Sequence, residues 1–547
     1  MTTVDLTPHL PSATIPALIA DTASRFGARS LLVTPGERLT YARADVRSRE
    51  LAAGLLADGV GKGDHVGILM PNSADWVVTW FALARIGAVG VPLNTFSQAG
   101  ELAWLVRHAD LRRIIAWPTF LGHDYQARFE EAFPELVTAS AADLLRLSGA
   151  PSLEAIHLTG ASARPWARPV DGLAATGRSI DPDLLAAAEA QVHPSDPAVI
   201  VYTSGSTADP KGCIHSQGTL VRQSFVVTSS YVVTGEDVMF SSMPFFWIGG
   251  LVTALHACQH HGAALVTQPM FEAGEALDLI EAERATIAQG WPQQGKTLAE
   301  HPAYRPERVA SVRRTSMPDF VPVDRRRPPV RSDSLGMTET CGSHTNFDPY
   351  VPLDESKRGT FGPSVPGFEH KIVDPETGAE LPAGTEGEIC IRGQSMMLGL
   401  QGFERADVFD ADGWLHTGDA GRLDDDGWLY YTGRLGDLIK TGGGANVTPV
   451  EVERALMAFD EVLEAYVVGA ETDHGQVVAA AVVARQGCEV DVDDLRIRLK
   501  ADLSAYKIPK AIYVYEKADL PFTTTGKLKK RDLAAQLAAR VPKGPSA

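Results

Sequence analysis

Cysteine is scarce: five residues in 547, at Cys213, Cys258, Cys341, Cys390 and Cys488, with no C-x-x-C pair and no Cys/His cluster at zinc spacing. That pattern excludes a disulfide-stapled scaffold and a zinc module and fits a reducing compartment. No stretch reaches the roughly 18 consecutive apolar residues of a membrane-spanning helix. The opening residues, with Asp5, Pro8, Pro11 and Pro16, lack the basic start of a secretory signal, so a cytoplasmic protein is expected. Positive charge is also short, with 50 Lys and Arg against 68 Asp and Glu, a net charge of −18. The only basic clusters are Arg325-Arg326-Arg327 and Lys527 to Arg531, which argues against nucleic acid as a partner. No internal repeat is visible.

The remaining composition, 44% hydrophobic and 22% charged, is that of an ordinary globular enzyme too long for one core. From Tyr41, the spacing of Val46, Leu51, Ala52, Leu55 and Leu56 predicts an amphipathic helix ended by Gly59. Val66 to Met70 reads as a buried strand, Trp76 to Arg85 as a helix, and Ala198 to Tyr202 as another buried strand. Such alternation predicts α/β layers through the large N-terminal part. Beyond Gly433 the character changes. Thr448-Pro449-Val450-Glu451 has capping-box spacing with proline at the first helical position, and β-rich runs follow at Glu464 to Val468 and Val477 to Val483. A helix near Val492 to Leu503 completes a small α+β domain. The expected division is 1–433, a hinge at 434–436, and 437–547.

Directly after the strand comes Thr203-Ser204-Gly205-Ser206-Thr207-Ala208-Asp209-Pro210-Lys211. Hydroxyls, unhindered amides and a nearby lysine suit the β- and γ-phosphates of a nucleotide, although the spacing is not that of a Walker A loop. Taken alone, such a run reads as readily as a polar surface loop. In context the segment resembles the phosphate loop of the adenylate-forming superfamily of acyl-CoA synthetases, luciferases and peptide-synthetase adenylation domains. Further segments match in the family's order: Leu335-Gly336-Met337-Thr338-Glu339-Thr340, Trp414 to Asp419, Gly433-Arg434 with Asp437 to Glu453, and Pro521 to Leu528.

The resemblance implies a large multi-subdomain N-terminal α/β domain and a small mobile C-terminal α+β domain. It implies ATP, Mg²⁺ and coenzyme A as cofactors and a carboxylic acid as substrate, activated as acyl-adenylate and passed to the thiol. Thr203, Ser204, Gly205, Ser206, Thr207 and Lys211 would hold phosphates, and Gly336, Met337 and Thr338 would line the nucleotide. Glu339 with Thr203 would hold Mg²⁺, since both offer hard oxygen donors. Asp419 would accept the ribose hydroxyls and Arg434 would face the ribose or phosphate edge. Lys527, in a polar loop, would stabilise the charge developing during adenylation. Lys440 with Gly442, Gly443 and Gly444 would form the thiol tunnel, and Gly436 occupies the hinge position. Met243-Pro244-Phe245-Phe246-Trp247-Ile248-Gly249-Gly250 resembles the acyl-pocket motif, with Phe246, Trp247, Gly249 and Gly250 as its wall and a hydrophobic, fatty or ring-containing acid as its ligand.

The chain departs from the family pattern at Ala208, where glycine is usual, at Gly436, often Asp or Lys, and before Leu335. There Arg314-Thr315-Ser316-Met317-Pro318 replaces a small-residue adenine loop, and the segment to Ser334 is short and Arg/Pro-rich. A shortened segment either widens the acyl pocket or weakens ATP binding. Three alternatives to an acid:CoA ligase therefore stay open: loading of a carrier protein, thioesterification of a preformed acyl-adenylate, and a silent nucleotide- or acyl-binding protein. A homo-oligomer is equally open.

Overall fold

The computed structural model describes residues 12–203, 210–437, 439–440, 446–447, 449–472, 475–501, 503, 507–523 and 528–540. Two compact units emerge: Met1–Glu369 with Arg392–Trp414, and His370–Ile391 with Leu415–Ala547. This differs from a cut at Gly433. The reason is the antiparallel sheet containing Leu415–Leu423 and Trp428–Arg434, whose packing groups it with the C-terminal elements.

The first unit is built on two sheets. One has eight strands in the order Gly399–Leu400, Lys211–Ser216, Pro197–Thr203, Val89–Pro92, His65–Leu69, Arg113–Ala116, Ala155–Leu158 and Ala167–Pro169. Its middle is parallel, and antiparallel pairing begins where Pro197–Thr203 meets Lys211–Ser216. The other has six, in the order Arg314–Thr315, Ile287–Gln289, Val238–Ser241, Ala264–Val266, Ser30–Val33 and Arg38–Thr40.

A shared core draws Leu31 and Leu32 from one sheet and Val66 and Ile68 from the other. The same core takes in helix Ala74–Arg85, capped by Ser73, whose Oγ accepts from Trp76 N at 3.2 Å. Trp76, Trp80 and Phe81 are buried on it, each worth roughly 1.5–3 kcal/mol or more of apolar transfer. Helix Tyr41–Ala57 packs alongside, with Leu51, Ala52 and Leu55 buried at the expected spacing and Leu56 half-buried, whereas Val46, expected on the same face, is exposed. Its Tyr41 hydroxyl donates to Ala263 O at 2.9 Å. Separate clusters around Phe129 and around Leu277 cover further parts of the two sheets.

In the second unit, Val462–Thr472 and Gly475–Ala484 pair antiparallel, and Ala511–Val514 joins the latter in parallel. Val478, Ala480 and Val482 enter one core and Ala479, Ala481 and Val483 another, so this strand is buried on both faces. That is why its sequence reads as a continuous apolar run. Helix Pro449–Met457 begins with the expected proline, and Thr448 lies outside the described residues.

Candidate active site

In the first unit, Thr203 closes strand Pro197–Thr203 and Lys211 opens the next, and the two are register partners. Ser204, Gly205, Ser206 and Thr207, with Ala208, lie outside the described residues. Glu339 sits in a one-turn 3₁₀ helix, Thr338–Thr340, held from two sides. His215 Nε2 donates to Thr338 O at 2.7 Å, and Met397 N donates to Glu339 O at 2.8 Å. Burial pulls the His215 imidazole down to about 4, so at neutral pH it is uncharged with its proton on Nε2. Buried Cys213 links the two charges: burial pushes its thiol up, Glu339 adds to the rise and Lys211 opposes it. Lys211 and Glu339 therefore act on one neighbourhood. The oxygen donors of Glu339 and Thr203 are of the kind Mg²⁺ takes. By contrast, the trio Glu388, Cys390 and His416 in the second unit offers mixed oxygen, sulfur and nitrogen donors, unsuited to that ion.

A cavity of about 360 Å³ lies beside this turn. Gly336, Met337 and Thr338 bound one side, and Met243, Trp247, Ile248 and Gly249 another. Trp247 meets Trp291 edge to face at 5.8 Å between ring centroids. Phe246 and Gly250 do not line the cavity: Phe246 is buried beside Trp247, and Gly250 serves packing, since a Cβ there would lie 2.2 Å from Pro244 O. Gly336 is needed for close approach, because its Cβ would meet Gly342 O at 2.6 Å.

Several wall residues carry no motif. Helix Ile248–Gly250 runs into a π-helical stretch, Leu251–His256, and from that stretch Thr253 lines the cavity together with Gln289, whose Nε2 donates to Thr253 Oγ1 at 2.6 Å. π-Bulges of this kind are frequent at functional sites and leave no clear sequence signature. Arg327, Asp333, Asn346 and Phe347 also line it. The signal for Arg327 was the Arg/Pro-rich segment itself, read only as a shortening.

In the second unit, Asp419 and Arg434 are register partners on antiparallel strands, and Arg434 Nε lies 3.0 Å from Asp419 Oδ1. Arg434 also donates to Thr417 O at 2.8 Å. Gly418 between them has φ +68, a conformation that favours glycine. Its N–H donates to Glu388 at 3.0 Å, which fixes the approach of the strand to Asp419. Gly436 lies in a short 3₁₀ turn, Leu435–Asp437, with open space around its Cβ position, so the turn does not demand glycine. Lys440 ends the strand Ile439–Lys440, and its side chain, Gly442, Gly443, Gly444 and Lys527 lie outside the described residues.

The AMP-binding enzyme family profile matches residues 19–400, and that of the AMP-binding enzyme C-terminal domain matches residues 451–527. The chain belongs to the AMP-binding enzyme family. It is 30% identical to a 3-[(3aS,4S,7aS)-7a-methyl-1,5-dioxo-octahydro-1H-inden-4-yl]propanoyl:CoA ligase of Rhodococcus jostii, covering 95% of this chain and 98% of that one. It is 31% identical to an indoleacetate–CoA ligase of Aromatoleum aromaticum, over 92% and 94% of the two chains. The ATP-bound structure of MatB from Rhodopseudomonas palustris superposes with a TM-score of 0.75 at 25% identity, covering 97% of this chain and all of that one. As a member of this family the chain is an AMP-forming acid–thiol ligase with a large α/β N-terminal domain and a small C-terminal domain, and its substrates include ATP and CoA. Mg²⁺ belongs to the chemistry of such ligases. Among the described residues, no helix is long and apolar enough to cross a membrane.

Proposed function

We propose that this ligase activates a compact, hydrophobic, ring-containing carboxylic acid and transfers it to CoA. The observation that carries the reading is one cavity bounded both by Trp247 and Gly249 and by Gly336, Met337 and Thr338. An acid body held against Trp247 would place its carboxylate towards the nucleotide motif. A volume of about 360 Å³ is at the small end of ligand pockets, roughly 300–1,000 Å³, which favours compact acids. The two relatives above are named for ring-bearing acids, in line with this choice.

In this reading Lys211 and Thr203 hold phosphates and Glu339 holds Mg²⁺, which would neutralise charge on the phosphates. Asp419 and Arg434 bind the ribose. Lys527 stabilises the attack of the carboxylate on the α-phosphate, where negative charge accumulates. The C-terminal part, from a pivot at 434–436, then turns to bring Lys440 and the glycines 442–444 to the thiol. The acceptor is free CoA rather than a carrier protein.

The test is a competition among acids of equal carbon number, ring-containing against straight-chain, followed as acyl-CoA formed. The expected result is a kcat/KM for at least one bicyclic acid about 10-fold or more above its straight-chain counterpart. A straight long-chain acid as the best substrate would contradict the substrate class. Transfer to a phosphopantetheinylated carrier in preference to CoA would contradict the acceptor.

A further inference from the structure

The cavity wall is apolar at Val227, Met243, Trp247, Ile248 and Phe347, yet it includes one guanidinium, that of Arg327. This residue comes from the segment after Thr315, which makes only two short 3₁₀ turns, Pro318–Phe320 and Val323–Arg325, before Leu335. The segment thus brings an arginine to the wall.

Arg327 is held in place. Its Nε donates to Thr315 O at 3.1 Å, and its guanidinium lies 5.9 Å from the Tyr350 ring centroid. Tyr350 is itself fixed, its hydroxyl accepting from Thr315 N at 2.6 Å. Asp348, two residues before Tyr350, is taken by Arg314 in a two-point contact at 2.6 and 2.9 Å, and the Arg327 charge also helps to hold its carboxyl below the usual range. Asp333 is half exposed and faces Arg331 at 3.6 Å. The two terminal nitrogens of Arg327 have no hydrogen-bond partner among the described residues. Among the other polar groups of the wall, Gln289 accepts from Ser241 at 2.9 Å and donates to Thr253.

A fork of four N–H donors beside the apolar residues of this wall is suited to an oxygen with two lone pairs. We propose that Arg327 recognises a second acceptor oxygen, a ketone or carboxylate on the body of the acid, so that the ligase selects oxo- or dicarboxylic acids over hydrocarbon acids of the same shape. The inference rests on the ligase reading and deepens it. An acid lacking that oxygen strips water from the guanidinium without replacing it, whereas one that has it forms a charge-assisted hydrogen bond.

The experiment uses three acids of one ring skeleton, bearing at the far end nothing, a ketone or a carboxylate. The full-length enzyme and its Arg327→Met and Arg327→Lys variants are assayed by pyrophosphate release at varied acid and varied ATP. The wild-type enzyme is expected to favour the ketone or the carboxylate by about 10–100-fold in kcat/KM over the hydrocarbon acid. Arg327→Met is expected to collapse that ratio towards unity without changing the KM for ATP. Arg327→Lys, a charge without the fork, should retain more of the preference for carboxylate than for ketone.

A loss shared equally by all three acids, or a raised KM for ATP, would place Arg327 in the framework or the nucleotide site and overturn the proposal. Equal use of the three acids by the wild-type enzyme would overturn it while leaving the ligase intact. No release with any acid would contradict the ligase reading, and this inference with it.

Discussion

Gly249 and Gly250 sit side by side in one motif, and their surroundings differ. A Cβ at Gly249 would lie 2.5 Å from Met243 Cε, the free end of a flexible side chain that can turn aside. At Gly250 the obstacle is the Pro244 backbone, which cannot. Gly249→Ala is therefore expected to fold with near-native stability while pushing Met243 into the cavity, raising the KM of the largest accepted acid several-fold. Gly250→Ala is expected to lose about 1–3 kcal/mol or more through overpacking. Urea denaturation and acid kinetics on the two variants check the pair; equal stability losses would contradict the assignment of one glycine to the cavity and the other to packing. The motif around Trp247 was legible as a pocket wall because aromatic and glycine residues cluster in it. Arg327 was not, since a basic residue in a Pro-rich run gives no sign of which way it points. The side chain of Lys527 lies outside the described residues, so its role rests on the resemblance.

At the scale of elements, buried histidines tie the strand Lys211–Ser216 and the π-bulged helix to pH. Burial holds His215 and His256 down to about 4 and His260 to about 3. His256 cannot take a second proton without loss: its Nε2 accepts from Trp80 Nε1 at 2.9 Å, while Nδ1 lies 2.8 Å from Gln259 Oε1. With folded values below the unfolded 6.5, the unfolded chain binds more protons between them. The stabilisation is thus complete above pH 6.5 and is lost as pH falls towards 4. Each histidine contributes on the order of 3 kcal/mol across that window. Urea midpoints measured from pH 7.5 to 5 should fall steadily, with up to three protons taken up by these three histidines on unfolding at pH 5, in addition to any taken up by His370, also held down to about 4, and His261. A flat profile would contradict neutral burial. The long elements were legible. Helix Tyr41–Ala57 shows its apolar spacing, and Gly475–Ala484 shows the unbroken run of a strand covered on both faces. Strands such as Arg314–Thr315 and Gly399–Leu400 are only two residues long, too short for any period, and are set by their sheet neighbours.

The whole molecule divides by packing at a different place from where the sequence changes character. The strands Leu415–Leu423 and Trp428–Arg434 carry Asp419 and Arg434 and pack with the C-terminal elements, although they lie before Gly436. A change in composition reports a change in local structure, whereas compactness reports which sheet a strand finally joins. Within the second unit Asp437 pairs with Lys530 at 3.0 Å, tying the residue after Gly436 to the last helix, which suits a pivot just before it. The central claim is that this member of the family performs both half-reactions, adenylation driven by Lys527 and then transfer to CoA. The measurement that tests it most directly is acid-dependent pyrophosphate release from ATP and Mg²⁺, for the wild-type enzyme and Lys527→Ala, with thioester formation from supplied acyl-adenylate and CoA followed on the same two proteins. The account predicts release by the wild type with a ring-containing acid, a loss of about 100-fold or more in Lys527→Ala, and comparable thioester formation by both. Wild-type enzyme that releases no pyrophosphate yet converts acyl-adenylate to acyl-CoA would contradict it, and would mean that the shortened segment before Leu335 has cost the enzyme its first step.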